Sequence, residues 1–327
     1  MSNIQKVRNW SDYNKSLRKR GEIIFSFDKN YYSELYYEDR QERGGKRVYS
    51  DKMYEYLLTV KIMFRLPWRA AIGFAGSILK NIFGEGISVP NYAHASRSCS
   101  KINLKLKPLS LGQSSVEIAF DSTGVNVYQT SGWHKRKYGK DALCRKGDQW
   151  KKIHVAIDLN SMQVLAAQYS DSNVNDCEVV NDLCETIKKT ITNKIQSVRA
   201  DGAYDTEEFR KIIYEWGAES LIPSARTAKA QDELKDKPKI MKKHLESRDN
   251  MIKEIRKYEN FDEGLKAWKV SHNYHQRSKI ESFMCRLKRS FGFNLQQKTE
   301  GGRINEITIK MNLLNLMASY GKAQYTG

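Results

Sequence analysis

Three carboxylates are set where metal-assisted phosphoryl transfer would need them. Asp121 closes the run Val116-Glu117-Ile118-Ala119-Phe120 and is followed by the small residues Ser122-Thr123-Gly124. Asp201 closes Ser197-Val198-Arg199-Ala200 and precedes Gly202, and Glu281 stands between Arg277 and Lys288. Hard divalent cations such as Mg2+ take oxygen ligands, and shared anionic charge holds two of them close, so about three carboxylates converging from different elements are needed. Strand ends are good platforms for such groups, and the small residues after Asp121 let a substrate backbone approach. Other acidic residues read as structural. Asp205, three before Glu208, has the spacing of a capping-box variant for a helix from Thr206. Asp176 fits a helix N-cap and Asp158 fits a turn.

The third carboxylate comes with the most specific spacing in the chain: Tyr274, Arg277, Glu281 and Lys288 form Tyr-x2-Arg-x3-Glu-x6-Lys. At about 100° per residue, with Arg277 at zero, Lys288 falls near ~20°, Glu281 near ~40° and Tyr274 near ~60°, so all four share one helix face. Ile280, Phe283, Met284 and Leu287 fall at roughly 240° to 340°, an apolar stripe that would seat the helix on a sheet while the polar arc faces the site. Glu281 is then the third metal ligand, Arg277 and Lys288 hold phosphates, and Tyr274 stacks or hydrogen-bonds near a nucleic-acid strand. An Arg277–Glu281 surface pair at i,i+4 is the simpler reading of the glutamate alone. The joint pattern outweighs it.

These groups need platforms, and the sequence supplies two kinds. Residues 1–110 read as helical: Ser50 caps a helix carrying Tyr54, Leu57, Leu58 and Ile62, Leu66-Pro67 breaks it before a run from Trp68 to Ile82, and a third helix begins at Pro90-Asn91. With Arg65, Arg69, Lys80, Arg97 and Lys101 nearby, this is compatible with a helix-turn-helix-like module. From residue 111 to 327 the pattern is mixed. Val116, Ile118 and Phe120 alternate as a strand that ends at Asp121. A strand pair over 152–157 and 163–166 surrounds a turn at Asp158-Leu159-Asn160-Ser161, a helix runs from about Asp176 to Thr190, and Ser197–Ala200 is a short strand. Phe209, Ile212, Ile213 and Trp216 mark a helix over 206–216. The densely charged stretch 228–258 reads as a helical, solvent-facing segment. Together these predict an α/β domain, a mixed sheet with helices on its faces, behind an all-helical N-terminal domain.

Composition bounds the partners. Lys and Arg number 56 against 38 Asp and Glu, a net charge of +18, which implies a large polyanion. Five cysteines without a close C-x-x-C pair suggest neither a disulfide framework nor a zinc site. No apolar window approaches the roughly 18 residues that would span a bilayer, so no membrane role is expected, and a cytoplasmic location, associated with the nucleoid, is the natural expectation.

The residues Tyr274, Arg277, Glu281 and Lys288 resemble the Tyr-Arg-Glu-Lys signature of bacterial insertion-sequence transposases of the DDE class. Ala119-Phe120-Asp121-Ser122-Thr123-Gly124 is similar to the strand-ending segment of the family's first aspartate, and Asp201-Gly202-Ala203-Tyr204-Asp205 to its Asp-Gly-x-Tyr-Asp segment. The family's Arg-Arg pair in the third N-terminal helix is not present in Tyr92-Ala93-His94-Ala95-Ser96-Arg97-Ser98-Cys99. The resemblance implies an RNase H-like catalytic core with Asp121, Asp201 and Glu281 as metal ligands, two Mg2+ ions for which Mn2+ substitutes, and double-stranded DNA as partner, both the terminal inverted repeats and a target. It also implies DNA cleavage to 3′-hydroxyl ends, their joining to target DNA, and a homo-oligomer in the synaptic complex.

The DNA side of this reading rests on residues 131–155, where Lys135, Arg136, Lys137, Lys140, Lys151 and Lys152 are among the basic residues expected to track phosphates. Trp133, Tyr138 and Trp150 are interleaved and could stack on unpaired bases, with core packing the simpler expectation for Trp150. Two alternatives stay open: a nuclease of the same fold that cuts without rejoining, and a DNA-binding regulator without catalysis. Joined products distinguish the first, and Mg2+-dependent cleavage the second.

Overall fold

The alternation that begins at Val116 does not stop at Asp121. In the computed structural model, which describes residues 7–27, 30–37, 48–107, 111–112, 114–127, 150–234, 241–292, 294–321 and 323–324, the first strand, β1, runs over Ser115–Asn126. Its partners explain the length. β2 (Trp150–Asp158) pairs antiparallel with it from Ile118 to Asn126, whereas β4 (Lys194–Arg199) pairs parallel only from Ser115 to Ala119. β3 (Val164–Asp171) is antiparallel to β2 and β5 (Glu219–Leu221) parallel to β4, giving the order β3-β2-β1-β4-β5. This mixed sheet, a three-stranded meander continued by parallel strands and flanked by helices, is an RNase H-like arrangement. The three-residue β5 has no counterpart in the sequence reading, because Glu-Ser-Leu carries no periodicity.

The chain divides into two units, Lys107–Arg286 and a second made of Met1–Leu106 with Leu287–Gly327. In the sheet unit, Val116, Ile118 and Phe120 are fully buried with Val180, Leu183 and Ile187 of the helix Val180–Thr190 and with Phe209 and Ile213 of the helix Glu207–Glu215. Thr206 caps the latter by accepting from the Phe209 N–H at 3.3 Å.

The charged stretch expected to be solvent-facing is instead amphipathic. Its helix Glu246–Ile255 buries Met251, Ile252 and Ile255 against Leu221, Ala230, Trp268 and Tyr274. Gly264 permits this packing, since a Cβ there would lie 2.2 Å from the Ile255 carbonyl oxygen.

The helical unit contains Trp10–Glu22, Asp51–Met63, Trp68–Phe83 and Tyr92–Ser98. Ser50 and Asn91 cap the second and fourth as their positions predict, accepting from the N–H groups of Met53 and His94. The last helix, Glu300–Ser319, packs against Asp51–Met63 in this unit, so the two-part reading with everything beyond residue 110 in one domain differs from the packing. The attachment is polar as well as apolar: the Asn305 side chain donates to the Cys99 and Ile102 carbonyls at 2.9 and 2.7 Å. Glu306, almost fully buried, accepts from the N–H groups of Gln296 and Gln297 at 2.8 and 2.9 Å and pairs with Lys310 at 2.7 Å. Among the described residues no helix is long and apolar enough to cross a membrane.

Candidate active site

β1 and β4 part company two residues before each aspartate. Their parallel register ends at Ala119 beside Arg199, and continuing it by two residues brings Asp121 next to position 201. Asp121 therefore lies within a strand and not at its end: β2 continues to pair with it, through Val155, after β4 has left. Asp201 begins a single turn, Gly202–Tyr204, and its Oδ1 accepts from the Ala203 N–H at 2.9 Å. Two acidic side chains thus stand where neighbouring strands diverge, near enough for the charge of Asp201 to act on Asp121.

Glu281 comes from the helix Ser278–Phe291. The predicted apolar stripe does seat this helix: Ile280, Phe283, Met284 and Leu287 are all buried. In addition, the Lys279 ammonium donates to the Leu159 carbonyl and the Arg286 guanidinium to that of Met162, both at 3.3 Å, which pins the helix to the β2–β3 turn. The polar arc is then turned to the aspartates. Arg277 Nη1 lies 3.4 Å from Asp121 Oδ2, and its Nη2 lies 3.0 Å from Glu281 Oε1. One guanidinium thus joins a strand carboxylate to a helix carboxylate.

The electrostatics are those of crowded anions. Burial pushes the Asp121 carboxyl above the usual carboxylate range, and the nearby Asp201 and Glu281 charges push the same way. The Ser122 N–H, which donates to Asp121 Oδ1 at 2.9 Å, and the Arg277 charge oppose the shift. Among the described residues no three His, Cys, Asp or Glu side chains converge on one point that would hold an ion; the carboxylates are gathered around a guanidinium. Their chemistry nonetheless suits a hard cation, since all are oxygen donors and each raises the cost of ionising Asp121.

Tyr274 belongs to the same assembly in a role the helical wheel does not suggest. The wheel carries the α-helix back to it, but Tyr274–Arg277 is a tighter 3-10 turn entered through Asn273 in the left-handed region at φ 50°. The tyrosine is buried against Trp268, and its hydroxyl donates to the Ala200 carbonyl at 2.8 Å. Burial pushes its phenol up to about 12. Lys288 is on the Glu281 helix but past the division between the units at Leu287.

Of the expected DNA contacts, Lys135, Arg136, Lys137 and Lys140, with Trp133 and Tyr138, lie outside the described residues. Lys151 pairs with Asp171, and Lys152 reaches the Val174 carbonyl at 2.9 Å and Asp176 at 3.2 Å. Trp150 is not core: it is 52% exposed and lies over Gly124, beside the strand that carries Asp121.

Of the acidic residues read as structural, Asp158 takes the predicted role and Asp205 and Asp176 take others. Asp205 holds the buried Arg210 at 2.6 Å and Arg248 at 3.4 Å, while Thr206 does the capping. Asp158 accepts from the Ser161 N–H at 2.7 Å, as a turn residue should. The turn at 176 is capped not by Asp176 but by Asn175, whose N–H donates to Glu178 at 3.2 Å. Asp176 points elsewhere: its Oδ2 accepts from the Ser122 hydroxyl at 3.0 Å, and its Oδ1 lies 3.4 Å from His154 Nδ1. Sequence reasoning misses this cluster. Its only trace in the chain is the polar alternation of Lys152 and His154 on either side of Ile153 in β2.

A family model described as Transposase DDE domain matches residues 112–317, and a second model of the same description matches residues 18–130. Among solved structures, the Drosophila P element transposase strand transfer complex aligns over 93% of this chain and 71% of that chain, at 12% identity and a TM-score of 0.27.

Proposed function

Because the chain belongs to the Transposase DDE domain family, we propose that it binds the terminal inverted repeats of an insertion sequence, cuts DNA to 3′-hydroxyl ends and joins those ends to target DNA. The observation that carries this reading is the Arg277 bridge, which brings Asp121 of β1 and Glu281 of a helix 160 residues later to one guanidinium beside Asp201.

In this reading Asp121, Asp201 and Glu281 hold two divalent ions, Mg2+ or in its place Mn2+. Bound there, the metal would polarise phosphate oxygens and lower the pKa of water or of a 3′-hydroxyl. The remaining work falls to the chain's own groups. Arg277, balanced between two carboxylates, is placed to take a phosphate oxygen when either carboxylate turns away. Lys288 adds a second cation on the same helix. Tyr274 holds the backbone before Asp201, and its buried ring leaves little surface for a base. Trp150, exposed next to β1, offers a face on which an unpaired base would stack. The basic cluster Lys135, Arg136, Lys137 and Lys140 tracks duplex phosphates, and Lys151 and Lys152, held by Asp171 and Asp176, add less to it. A homo-oligomer pairs the two DNA ends, and the nucleoid is the working location.

The test is cleavage and joining of labelled duplexes ending in the element's inverted repeats, with Mg2+, for the unmodified protein and Glu281→Gln. Cut and joined 3′-ends from the unmodified protein alone support the reading. Cut ends without joined products would make it a nuclease, and binding without cleavage by either protein would make it a regulator.

A further inference from the structure

Asp121 and Ser122 are successive residues of a pleated strand, so their side chains leave opposite faces of the sheet. On the Ser122 face stands a polar cluster built from four elements, β1, β2, β3 and the turn at 176. Ser122 is the cross-strand partner of His154, whose side chain is fully buried; His154 Nε2 lies 2.7 Å from the Ser170 hydroxyl of β3 and its Nδ1 lies 3.4 Å from Asp176 Oδ1. Lys152, two residues along β2, reaches the same Asp176 oxygen at 3.2 Å, and the Ser122 hydroxyl donates to the other at 3.0 Å. Burying the His154 imidazole among half-buried polar groups is costly unless they are well paired, and an apolar residue of the same size would serve packing alone.

The link from this cluster to the other face is the backbone of Ser122. Its N–H donates to Asp121 Oδ1 at 2.9 Å, so whatever fixes the Ser122 side chain fixes the donor that orients the Asp121 carboxylate. The two faces also share a field. The buried Tyr204 phenol is pushed up first by burial and then by the charges of Asp176, Asp121 and Asp201 together.

We infer that Asp176 is a positioning residue for Asp121, acting through Ser122: it anchors the Ser122 hydroxyl on one face of β1 and thereby sets the N–H that aims the Asp121 carboxylate on the other. The inference rests on the proposal that Asp121 is a metal ligand. Lys152 and His154 hold Asp176 in place and are not themselves part of the reacting groups.

The experiment uses the full chain, with Ser122→Ala, Ser122→Thr, Asp176→Ala, the Ser122→Ala/Asp176→Ala double variant and Asp121→Ala. Four quantities are read: the single-turnover cleavage rate at saturating inverted-repeat DNA, DNA affinity, the thermal midpoint, and Mn2+ affinity by electron paramagnetic resonance without DNA. Ser122→Ala is expected to lose about tenfold in cleavage rate and in Mn2+ affinity, the size usual for a group that orients a metal ligand, with DNA affinity and midpoint unchanged. Ser122→Thr restores both, and the double variant is no slower than Asp176→Ala, because one path carries both effects. A Ser122→Ala protein as fast as the parent, or losses that multiply in the double variant, overturns the inference. If Asp121→Ala neither stops cleavage nor weakens Mn2+ binding, it is the metal-ligand reading that fails, and this inference falls with it.

Discussion

The Tyr274 hydroxyl donates to the Ala200 carbonyl at 2.8 Å, tying the residue that opens the Glu281 segment to the one that precedes Asp201. The second and third carboxylates are thus joined through backbone and phenol, in addition to the Arg277 bridge. Tyr274→Phe removes this hydrogen bond and the hydroxyl's interaction with Arg277, and leaves the ring against Trp268. The expected cost is about 1 kcal/mol, a fall of about 2 °C in thermal midpoint for a chain of this size. Cleavage should slow while DNA affinity holds. Unchanged cleavage with a lowered midpoint would make the bond purely structural.

Arg277 uses two separate nitrogens on two carboxylates, a task for a planar fork and not for a point charge. Arg277→Lys is therefore expected to behave like Arg277→Ala in a single-turnover cleavage assay, each losing about tenfold or more, equivalent to at least ~1.4 kcal/mol of barrier. A lysine variant that keeps the parent's rate would show that charge alone suffices.

The raised pKa of Asp121 has a sign that can be checked. A carboxyl that holds its proton more tightly folded than unfolded favours the folded state at low pH, and this contribution is lost as pH rises through the folded pKa. Ionised Asp121 is then a cost at neutral pH. Asp121→Asn should abolish cleavage yet keep or raise the thermal midpoint at pH about 7, with the gain over the parent shrinking as the carboxyl protonates on acidification. A midpoint below the parent's at neutral pH would count against it.

In the helical unit, Glu306 is the hub of a buried network that includes Lys310 and two backbone N–H groups. Glu306→Ala strands a buried ammonium and should cost about 3 to 5 kcal/mol. Chemical denaturation measures it directly; a loss under about 1 kcal/mol would mean that water reaches the Lys310 ammonium.

Lys151 and Lys152 are already answered by Asp171 and Asp176. Replacing Lys135, Arg136, Lys137 and Lys140 with Ala should therefore reduce the salt dependence of DNA affinity more per residue than replacing Lys151 and Lys152, by about 0.9 in slope for each phosphate no longer neutralised. Equal changes in slope per residue replaced would place all six on phosphates alike.

Local periodicity by itself determined the helices with Ser50, Asn91 and Thr206 at or near their starts, the strands around Phe120 and Val155, and the buried stripe on the Glu281 helix, because spacing of two or of three to four residues is written directly in the chain. Residue type and spacing also singled out Asp121, Asp201 and Glu281. What neighbours each of them was decided only by tertiary structure. Asp121 stays within its strand because β2 pairs on where β4 stops, and register between strands some eighty residues apart leaves no mark in either. Tyr274 turns inward because a carbonyl at Ala200 and a ring at Trp268 await it. Asp176 leaves the helix cap to Asn175 because Ser122, Lys152 and His154 converge on it from the sheet. A buried polar group takes whichever distant partner satisfies it, and that choice exists only once the chain has folded.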